Sequence, residues 1–455
     1  MALDPTTFET LIPSRFITFT FPHPSNDPNS LLRVAVLDSP IQPTESPRVA
    51  AMFVPEHRNS DWTFSTESGH LQLLLSSPGI SRLILVGNQP INAHSSPSIY
   101  RRSINNDFNS LEVSLKPLFL ALSPKSLFKH GIPEIPILRY EDNVICGVVL
   151  EQCVGSFAGE MLVEDVEIES EVREFRRRLR FKRMPNLIQT EIRVVPEVGF
   201  GSDCMGIGEV EFRPDIQVLV HPYLVPMVAS LSLVGRYIEE RIQGGFKPKA
   251  LCVGVGGGAL LTFLRAQLGF EVVGVEADKE VLRVARQYFG LLGNESIRVI
   301  VGDAIDVIEK FSFHSNGVHG GENGSYLYDG SDVNNKFDAI MVDLDSSDAK
   351  NGTSAPPLEF VRKQVLLAAK SILCDFGILA INVIPPDRSF YEKLINEFRE
   401  VFHELYEIDV GNGENFVVVA TMSPTMSSVS DCENSFLTRL RMASSGAYMD
   451  SIRKI

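Results

Sequence analysis

Between residues 250 and 422, short apolar runs alternate with segments of helical periodicity. The runs have the length of buried strands, and a segment such as Ala259–Gln267 has the apolar spacing of a helix. This alternation predicts a parallel sheet with helices on both faces. The last two runs, Glu404–Val410 and Phe416–Met422, flank a glycine-containing turn and predict an antiparallel hairpin. The pattern therefore predicts an α/β domain whose parallel sheet is closed by a hairpin.

A glycine-rich loop follows the first of these runs. Residues 250–258 read Ala-Leu-Cys-Val-Gly-Val-Gly-Gly-Gly, and Glu276 ends the second run. Glycine lets the backbone approach a ligand closely, and the helix that follows favours an anionic group at its N-terminus. Any tight strand-to-helix turn can use glycine, so the loop by itself is a weak indication. With Glu276 placed to accept hydrogen bonds from ribose hydroxyls, it predicts a nucleotide-binding unit.

Acidic residues also follow the third and fourth runs. Ile297–Val301 leads into Gly302-Asp303-Ala304, and Phe337–Val342 leads into Asp343-Leu-Asp-Ser-Ser-Asp348. Because the carboxyl ends of parallel strands share one edge of a sheet, these groups should lie together, with Asp303 placed to accept the adenine amino group. This arrangement favours S-adenosylmethionine over NAD as the cofactor. The predicted cofactor-binding residues are Gly254, Gly256, Gly257, Gly258, Glu276, Asp303, Ala304 and Asp343.

Three further residues are predicted to be catalytic. Asp345 and Asp348 would accept hydrogen bonds from an incoming amine, and Asn382 would hold the substrate backbone at the end of the fifth strand. Methyl transfer to an unprotonated amine depends mainly on holding the two groups in line. The alternative for each aspartate is a helix cap or a turn residue.

The rest of the chain has a different sequence pattern. Residues 1–200 contain strand-like runs broken by proline- and serine-rich connectors, and predict a smaller, strand-rich α+β domain. Residues 186–220 read as a turn-rich bridge and residues 312–335 as a mobile surface loop. We therefore predict three parts: 1–200, a seven-stranded, Rossmann-like methyltransferase-type domain over 201–422, and a serine-rich linker and tail over 423–455. An arginine-rich stretch from Arg173 to Arg183 reads either as a solvated face or as a docking site for an acidic surface.

Composition further limits the kind of protein that this chain can be. Of 455 residues, 44% are hydrophobic and 22% charged, which is ordinary for a globular protein, and the net charge is −15. That charge argues against a protein that binds nucleic acid through its whole surface. The six cysteines have no paired spacing, so neither a metal centre nor a disulfide framework is expected. With no predicted membrane span and no leader-like start, a cytoplasmic protein is expected.

Several motifs together resemble a known family. They are Val-Gly-Gly-Gly at 255–258, Val-Glu-Ala-Asp at 275–278, the Asp343–Asp348 run, and Ser-Ala-Pro-Pro-Leu-Glu-Phe-Val at 354–361. Upstream segments add Phe53-Val-Pro-Glu, Asp61-Trp-Thr-Phe, Val163-Glu-Asp-Val, Phe175-Arg-Arg-Arg and Asn186-Leu-Ile-Gln-Thr-Glu. The combination is similar to the methyltransferase-like protein 13 family, through its middle segment and its C-terminal, spermidine-synthase-like domain.

The resemblance carries expectations about activity. That family methylates translation elongation factor 1-alpha, and its C-terminal domain acts on the N-terminal α-amine. We expect no counterpart here of the family's separate N-terminal domain, which modifies a lysine. The resemblance therefore implies an S-adenosylmethionine-dependent enzyme acting on that terminal amine.

Two alternatives remain open at this stage. Asp345-Ser-Ser-Asp348 also resembles the motif that holds the amine in spermidine synthases, but those enzymes carry an aspartate where Gly257 stands here. Such a carboxylate would repel the carboxylate of intact S-adenosylmethionine, so Gly257 favours methyl transfer over aminopropyl transfer. A catalytically silent binding module is the second alternative. The oligomeric state, for which a homodimer is one option, is left open.

Overall fold

The computed structural model describes three β-sheets and the helices packed on them. The described residues are 5–24, 30–41, 46–89, 99–102, 109–197, 206–293, 296–315, 336–425, 434–444 and 446–455. The predicted surface loop at 312–335 lies outside them from residue 316 onward.

The first sheet has the strand order β1-β2-β4-β3-β6. Its strands and the helices around it are β1 (Phe16–Pro22), β2 (Leu31–Asp38), β3 (Val49–Phe53), α1 (Trp62–Ser65), α2 (Glu67–Leu75), β4 (Arg82–Asn88), α3 (Asn109–Ala121) and β6 (Ile137–Leu138), with β5 (Ile99–Arg101) passing to the second sheet. Both faces of the central strands are buried. One apolar core lies under α3 and another under α2, which is why β3 and β4 read as continuous apolar runs.

The second sheet is antiparallel throughout, in the order β11-β10-β9-β8-β7-β5. Its further strands are β7 (Val144–Gly155), β8 (Gly159–Ile168), β9 (Glu174–Phe181), β10 (Met184–Pro196) and β11 (Phe212–Pro214). The expected turn-rich bridge at 186–220 is therefore wrong over its first part. Residues 186–196 belong to the thirteen-residue strand β10, because strand pairing on both sides satisfies their backbone groups. The predicted boundary at residue 200 falls between two strands of this one sheet.

The third sheet has the order β14-β13-β12-β15-β16-β18-β17-β19, with four parallel pairs followed by antiparallel ones. Its strands are β12 (Lys249–Val253), β13 (Glu271–Glu276), β14 (Ile297–Val301), β15 (Phe337–Val342), β16 (Leu373–Val383), β17 (Glu404–Asp409), β18 (Phe416–Thr421) and β19 (Arg453–Lys454). The α/β fold class is confirmed. The seven predicted strands are joined by the two-residue β19 at the edge.

Helices cover both faces of this third sheet. They are α4 (Leu224–Ala229), α5 (Gly235–Gln243), α6 (Ala259–Leu268), α7 (Lys279–Tyr288), α8 (Ala304–Ser315), α9 (Lys363–Ser371), α10 (Arg388–Val401), α11 (Ser435–Ala443) and α12 (Ala447–Asp450). Two apolar cores result, one on each face. The predicted tail at 423–455 belongs in part to this structure: Phe436 and Leu440 are fully buried, and Lys454 pairs with Tyr406 of β17.

The arginine-rich stretch is neither a solvated face nor a docking patch over its central part. Three arginines of β9 are buried in the second sheet and pair with carboxylates of β8 and β10: Arg177 with Asp165, Arg178 with Glu191, and Arg180 with Glu164. The pairing follows from cross-strand register, which places opposite charges side by side. These charges are therefore part of the sheet's interior.

Candidate functional site

The glycine loop lies between β12 and α6 and requires glycine for close packing. Gly254 has φ +86°, and a Cβ there would lie 2.0 Å from the backbone oxygen of Asp343. No L side chain fits so near a carbonyl, so this position brings the ends of β12 and β15 together. The loop and the fourth strand end thus form one floor, as the sequence predicted.

Gly257 faces the second sheet. Its N–H donates to Oγ1 of Thr190 at 2.8 Å. A Cβ at this position would lie 2.5 Å from Cγ2 of Thr190 and 2.9 Å from Cδ1 of Phe289. A larger side chain at 257 would therefore collide with Thr190 and Phe289. Thr190 is therefore a loop-supporting residue that reasoning from the sequence missed, because β10 was not expected beside the loop.

Glu276 ends β13 and turns its carboxylate toward the same loop. Oε2 accepts from the N–H groups of Val255 at 3.2 Å and Gly256 at 3.3 Å, and Oε1 accepts from Asp278 N–H at 3.0 Å. Burial raises the pKa of Glu276, while these backbone hydrogen bonds oppose the rise. The carboxylate is thus fixed at the cavity wall beside the loop, where the sequence predicted a ribose acceptor.

Asp278, two residues further on, joins the second sheet to this wall. Its Oδ2 accepts from the N–H groups of Phe157 at 2.7 Å and Ala158 at 2.9 Å, in the turn between β7 and β8. Its Oδ1 accepts from Glu280 N–H at 2.9 Å and caps α7. The turn bearing Phe157 is consequently held at the edge of the cavity.

Asp343 lies at the centre of a chain of polar side chains. The hydroxyl of Tyr223 donates to its Oδ2 at 2.9 Å, and Nδ2 of Asn382 donates to its Oδ1 at 3.3 Å. Asn415, directly before β18, in turn donates to Oδ1 of Asn382 at 3.2 Å. Burial raises the pKa of Asp343 to about 6, against the lowering effect of the Tyr223 and Asn382 hydrogen bonds. The network fixes the orientation of both predicted residues, Asp343 and Asn382.

Asp345 points to the same cavity and carries an ion pair. Nη2 of Arg183, in the turn between β9 and β10, donates to its Oδ1 at 3.0 Å. Burial raises the pKa of Asp345, and Arg183 partly offsets that rise. Arg183 was grouped with the arginine-rich stretch in the sequence. The structure separates it from its neighbours and places it at the predicted acceptor position.

Asp303 and Asp348 have local roles that their sequence positions do not distinguish. Oδ1 of Asp303 accepts from the N–H groups of Ile305 and Asp306 and caps the start of α8. Oδ1 of Asp348 accepts from the N–H groups of Lys350 and Asn351 at 2.8 Å, which closes a turn. Asp348 does not line the cavity with Asp345, so the structure does not bring the two predicted amine acceptors together.

One cavity of about 550 Å³ unites the remaining groups at the carboxyl edge of the third sheet. Gly254, Val255, Gly256, Glu276 and Ala304 line one part, and Asp343, Asp345 and Asn382 line another. The predicted cofactor-binding residues Gly257, Gly258 and Asp303 are not among the residues that line it. His221 also lines it, and its Nδ1 is buried without a hydrogen-bond partner among the described residues. Burial lowers the pKa of His221 to about 4, so the imidazole is neutral near pH 7. No motif in the sequence marked His221 or Tyr223.

A possible metal-binding group lies away from this cavity. Glu151, Cys153 and Glu280 are close enough to one another to share an ion. Arg283, however, pairs with Glu151 at 2.5 Å and with Glu280 at 2.8 Å. The Arg283 guanidinium therefore already neutralises the carboxylates that would bind a metal cation.

The strand order and the polar groups at the carboxyl edge define a Rossmann-like α/β protein with a ligand cavity at the usual position for such sheets. No protein-family profile matches the chain. The chain is similar to the eEF1A lysine and N-terminal methyltransferase of Xenopus laevis, with 28% identity over 82% of this chain and 50% of that protein. The human protein of the same name is 25% identical over 86% and 53%. These relatives confirm the predicted resemblance, and the chain spans about half of their length.

Two solved structures are also similar. Human methyltransferase-like protein 13 in complex with SAH has 24% identity and a TM-score of 0.40, over 50% of this chain and 93% of that one. A probable spermidine synthase from Corynebacterium glutamicum has 14% identity and a TM-score of 0.42, over 65% and 94%. Among the described helices, none has the length and apolar character needed to cross a bilayer.

Proposed function

We propose that this chain is an S-adenosylmethionine-dependent methyltransferase that modifies the N-terminal α-amine of translation elongation factor 1-alpha. The observation that carries the proposal is the single cavity in which the glycine loop and Glu276 lie with Asp343 and Asp345. The similarity to proteins named for eEF1A lysine and N-terminal methylation supports the choice of acceptor.

The residues present fit the proposed donor. Glu276 offers carboxylate oxygens for ribose hydroxyls, and Ala277, Val281 and Ala304 supply apolar wall for an adenine ring. Asp343 would hold the donor's ammonium group, because it is a carboxylate already fixed by Tyr223 and Asn382. The donor supplies an electrophilic methyl group on a sulfonium centre.

The acceptor chemistry requires an unprotonated amine in a fixed position. A terminal α-amine has a pKa of about 7.7–8.0, whereas that of lysine is about 10.4, so the α-amine loses its proton more readily. Asp345 is suited to accept this proton and to orient the amine, because burial raises its pKa above that of an exposed aspartate. The weak basicity of a carboxylate therefore favours the α-amine over a lysine.

The direct test is mass spectrometry of elongation factor 1-alpha after incubation with the protein and S-adenosylmethionine. We expect added methyl groups on the first residue of the factor, with its internal lysines unchanged. Methyl groups confined to lysines would contradict the proposed acceptor, and no methylation at all would contradict the proposed activity.

Two aspartates three positions apart provide a matched comparison. Asp345→Asn should lower kcat by about 10²-fold or more, the usual contribution of a positioned proton acceptor. Asp348→Asn should cause a far smaller loss, because its carboxylate closes a turn outside the cavity wall. Equal losses would contradict the distinct roles that we assign to the two residues.

The same preparation tests aminopropyl transfer. Incubation with putrescine and decarboxylated S-adenosylmethionine should give no spermidine, since Gly257 has Thr190 and Phe289 in the space that an aspartate would need. Efficient spermidine formation would reverse the choice between the two reactions. We also infer a cytoplasmic location, in keeping with a translation factor as substrate and with the free state of Cys146, Cys153, Cys252 and Cys374.

A further inference from the structure

The cavity carries an excess of acidic side chains. Arg183 is the one lysine or arginine among the described residues that line it. The acidic residues that line it are Glu276, Asp278, Asp343, Asp345 and Glu414, together with Glu191, whose charge Arg176 and Arg178 balance. A negatively lined cavity attracts a cationic amine and repels acidic side chains, except where Arg183 lies.

Arg183 occupies the position that the acceptor amine needs. It donates to Oδ1 of Asp345 at 3.0 Å, and its guanidinium carbon lies 5.1 Å from the centroid of the Phe181 ring. Its side chain is 37% exposed, against 22% for that of Asp345. The guanidinium can therefore leave Asp345 without entering a buried environment.

We propose that Arg183 determines acceptor specificity. The incoming amine displaces the Arg183 guanidinium from Asp345, and the displaced guanidinium binds an acidic side chain of the same polypeptide. This inference rests on the proposed function, in which Asp345 binds the amine. A guanidinium offers a planar pair of donors that matches a carboxylate, and displacement from Asp345 frees those donors. The preferred acceptor is thus a polypeptide with a free N-terminal amine and an acidic residue close behind it.

The test uses ten-residue peptides with an N-terminal glycine and an alanine- and serine-rich body. Each carries one glutamate, glutamine or lysine at position 2, 3, 4 or 5. For the wild-type protein, kcat/KM should be several-fold higher with glutamate than with lysine at one of these positions. Arg183→Gln should remove the preference, and Arg183→Glu should reverse it toward lysine.

Lys182 offers a matched control in the same turn. It pairs with Glu160 and lies 5.9 Å from the centroid of the Trp62 ring, outside the cavity lining. Lys182→Glu makes the same change of charge one residue away and should keep the wild-type preference. A reversal in this variant as well would indicate a general charge effect and overturn the role of Arg183.

Three further outcomes have separate meanings. Methylation of all peptides without a charge preference would overturn this inference and leave the proposed function intact, whereas failure to methylate any peptide or the factor would contradict the proposed function itself. When turnover in a variant is too slow to measure, calorimetry of peptide binding to protein saturated with S-adenosylhomocysteine should give the same ratios between glutamate and lysine peptides. A large loss of S-adenosylmethionine affinity in Arg183→Gln would instead assign Arg183 to the donor carboxylate, again overturning the inference.

Discussion

A buried arginine of the first sheet has a charged partner, whereas Asp343 at the cavity has neutral hydrogen-bond donors. Arg82 of β4 is 0% exposed and donates five hydrogen bonds: to both oxygens of Asp38 and to the carbonyls of Phe8, Thr10 and Leu122. At the cavity, Asp343 has two neutral donors, and burial raises its pKa to about 6.

The difference separates charges that stabilise the fold from charges that are kept for a ligand. A fully paired buried ion is costly to disrupt, because removal of one partner leaves the other without compensation. A carboxylate with a raised pKa is held at a cost to stability, which a cationic ligand can offset. The paired charges inside the first and second sheets therefore stabilise the fold, whereas the cavity carboxylates at the edge of the third sheet are available to a ligand. Four substitutions test this contrast.

Arg82→Met should have the largest effect. It leaves Asp38 buried with less compensation and should lower the free energy of unfolding by about 3–5 kcal/mol, measured by urea denaturation. S-adenosylmethionine affinity per folded molecule should not change. Arg101→Met is the control, because Arg101 and its partner Glu209 are exposed and should contribute at most about 1 kcal/mol. Similar small losses in both variants would contradict the contrast.

Glu276→Ala should show the reverse pattern, with a large loss of donor affinity and a smaller loss of stability from the N–H groups of Val255, Gly256 and Asp278 that lose their acceptor. Hydrogen bonds to a charged acceptor contribute about 1.5–3 kcal/mol, so calorimetry should show S-adenosylmethionine binding weakened by about 10- to 150-fold. Glu276→Gln, which keeps one acceptor oxygen without the charge, should lie between. Unchanged affinity in the alanine variant would remove Glu276 from the site.

Donor affinity should depend on pH through Asp343. The ionised carboxylate attracts the donor's ammonium group, so affinity should fall by up to about tenfold per pH unit below pH 6. Because the pKa of Asp343 is raised in the folded state, the same protonation stabilises the fold while it weakens binding. Asp343→Asn should bind more weakly at pH 7.5 and lose the part of the pH dependence that Asp343 supplies. A wild-type profile in that variant would exclude Asp343 as the titrating group.

Asp303→Ser should have the smallest effect. Serine keeps a cap for α8 but removes the carboxylate predicted to accept the adenine amino group. We expect a several-fold loss of affinity, in line with about 0.5–1.5 kcal/mol for one hydrogen bond, at an unchanged melting temperature. A loss of stability with unchanged affinity would show that Asp303 acts only as a cap.

The third sheet could be predicted closely from the sequence. Its runs are continuous and apolar because parallel strands are buried on both faces, as in β15. The same pattern places Glu276 and Asp343 at strand ends, and consecutive parallel strands bring those ends to one edge. The β17–β18 hairpin followed from its turn residues. These features depend on residues near one another in the chain, so local periodicity was sufficient.

Only the tertiary structure determined which residues complete the cavity. Arg183 and Asp345 are 162 residues apart, and Thr190 reaches Gly257 across 67. Neither contact has a pattern in the sequence, because both depend on how the β9–β10 hairpin packs over the third sheet. Asp345 and Asp348 also have different hydrogen-bond partners, although both are aspartates. The local backbone N–H groups around Asp348 satisfy its oxygens, whereas Asp345 meets a side chain from another sheet, and no spacing in the sequence specifies that difference.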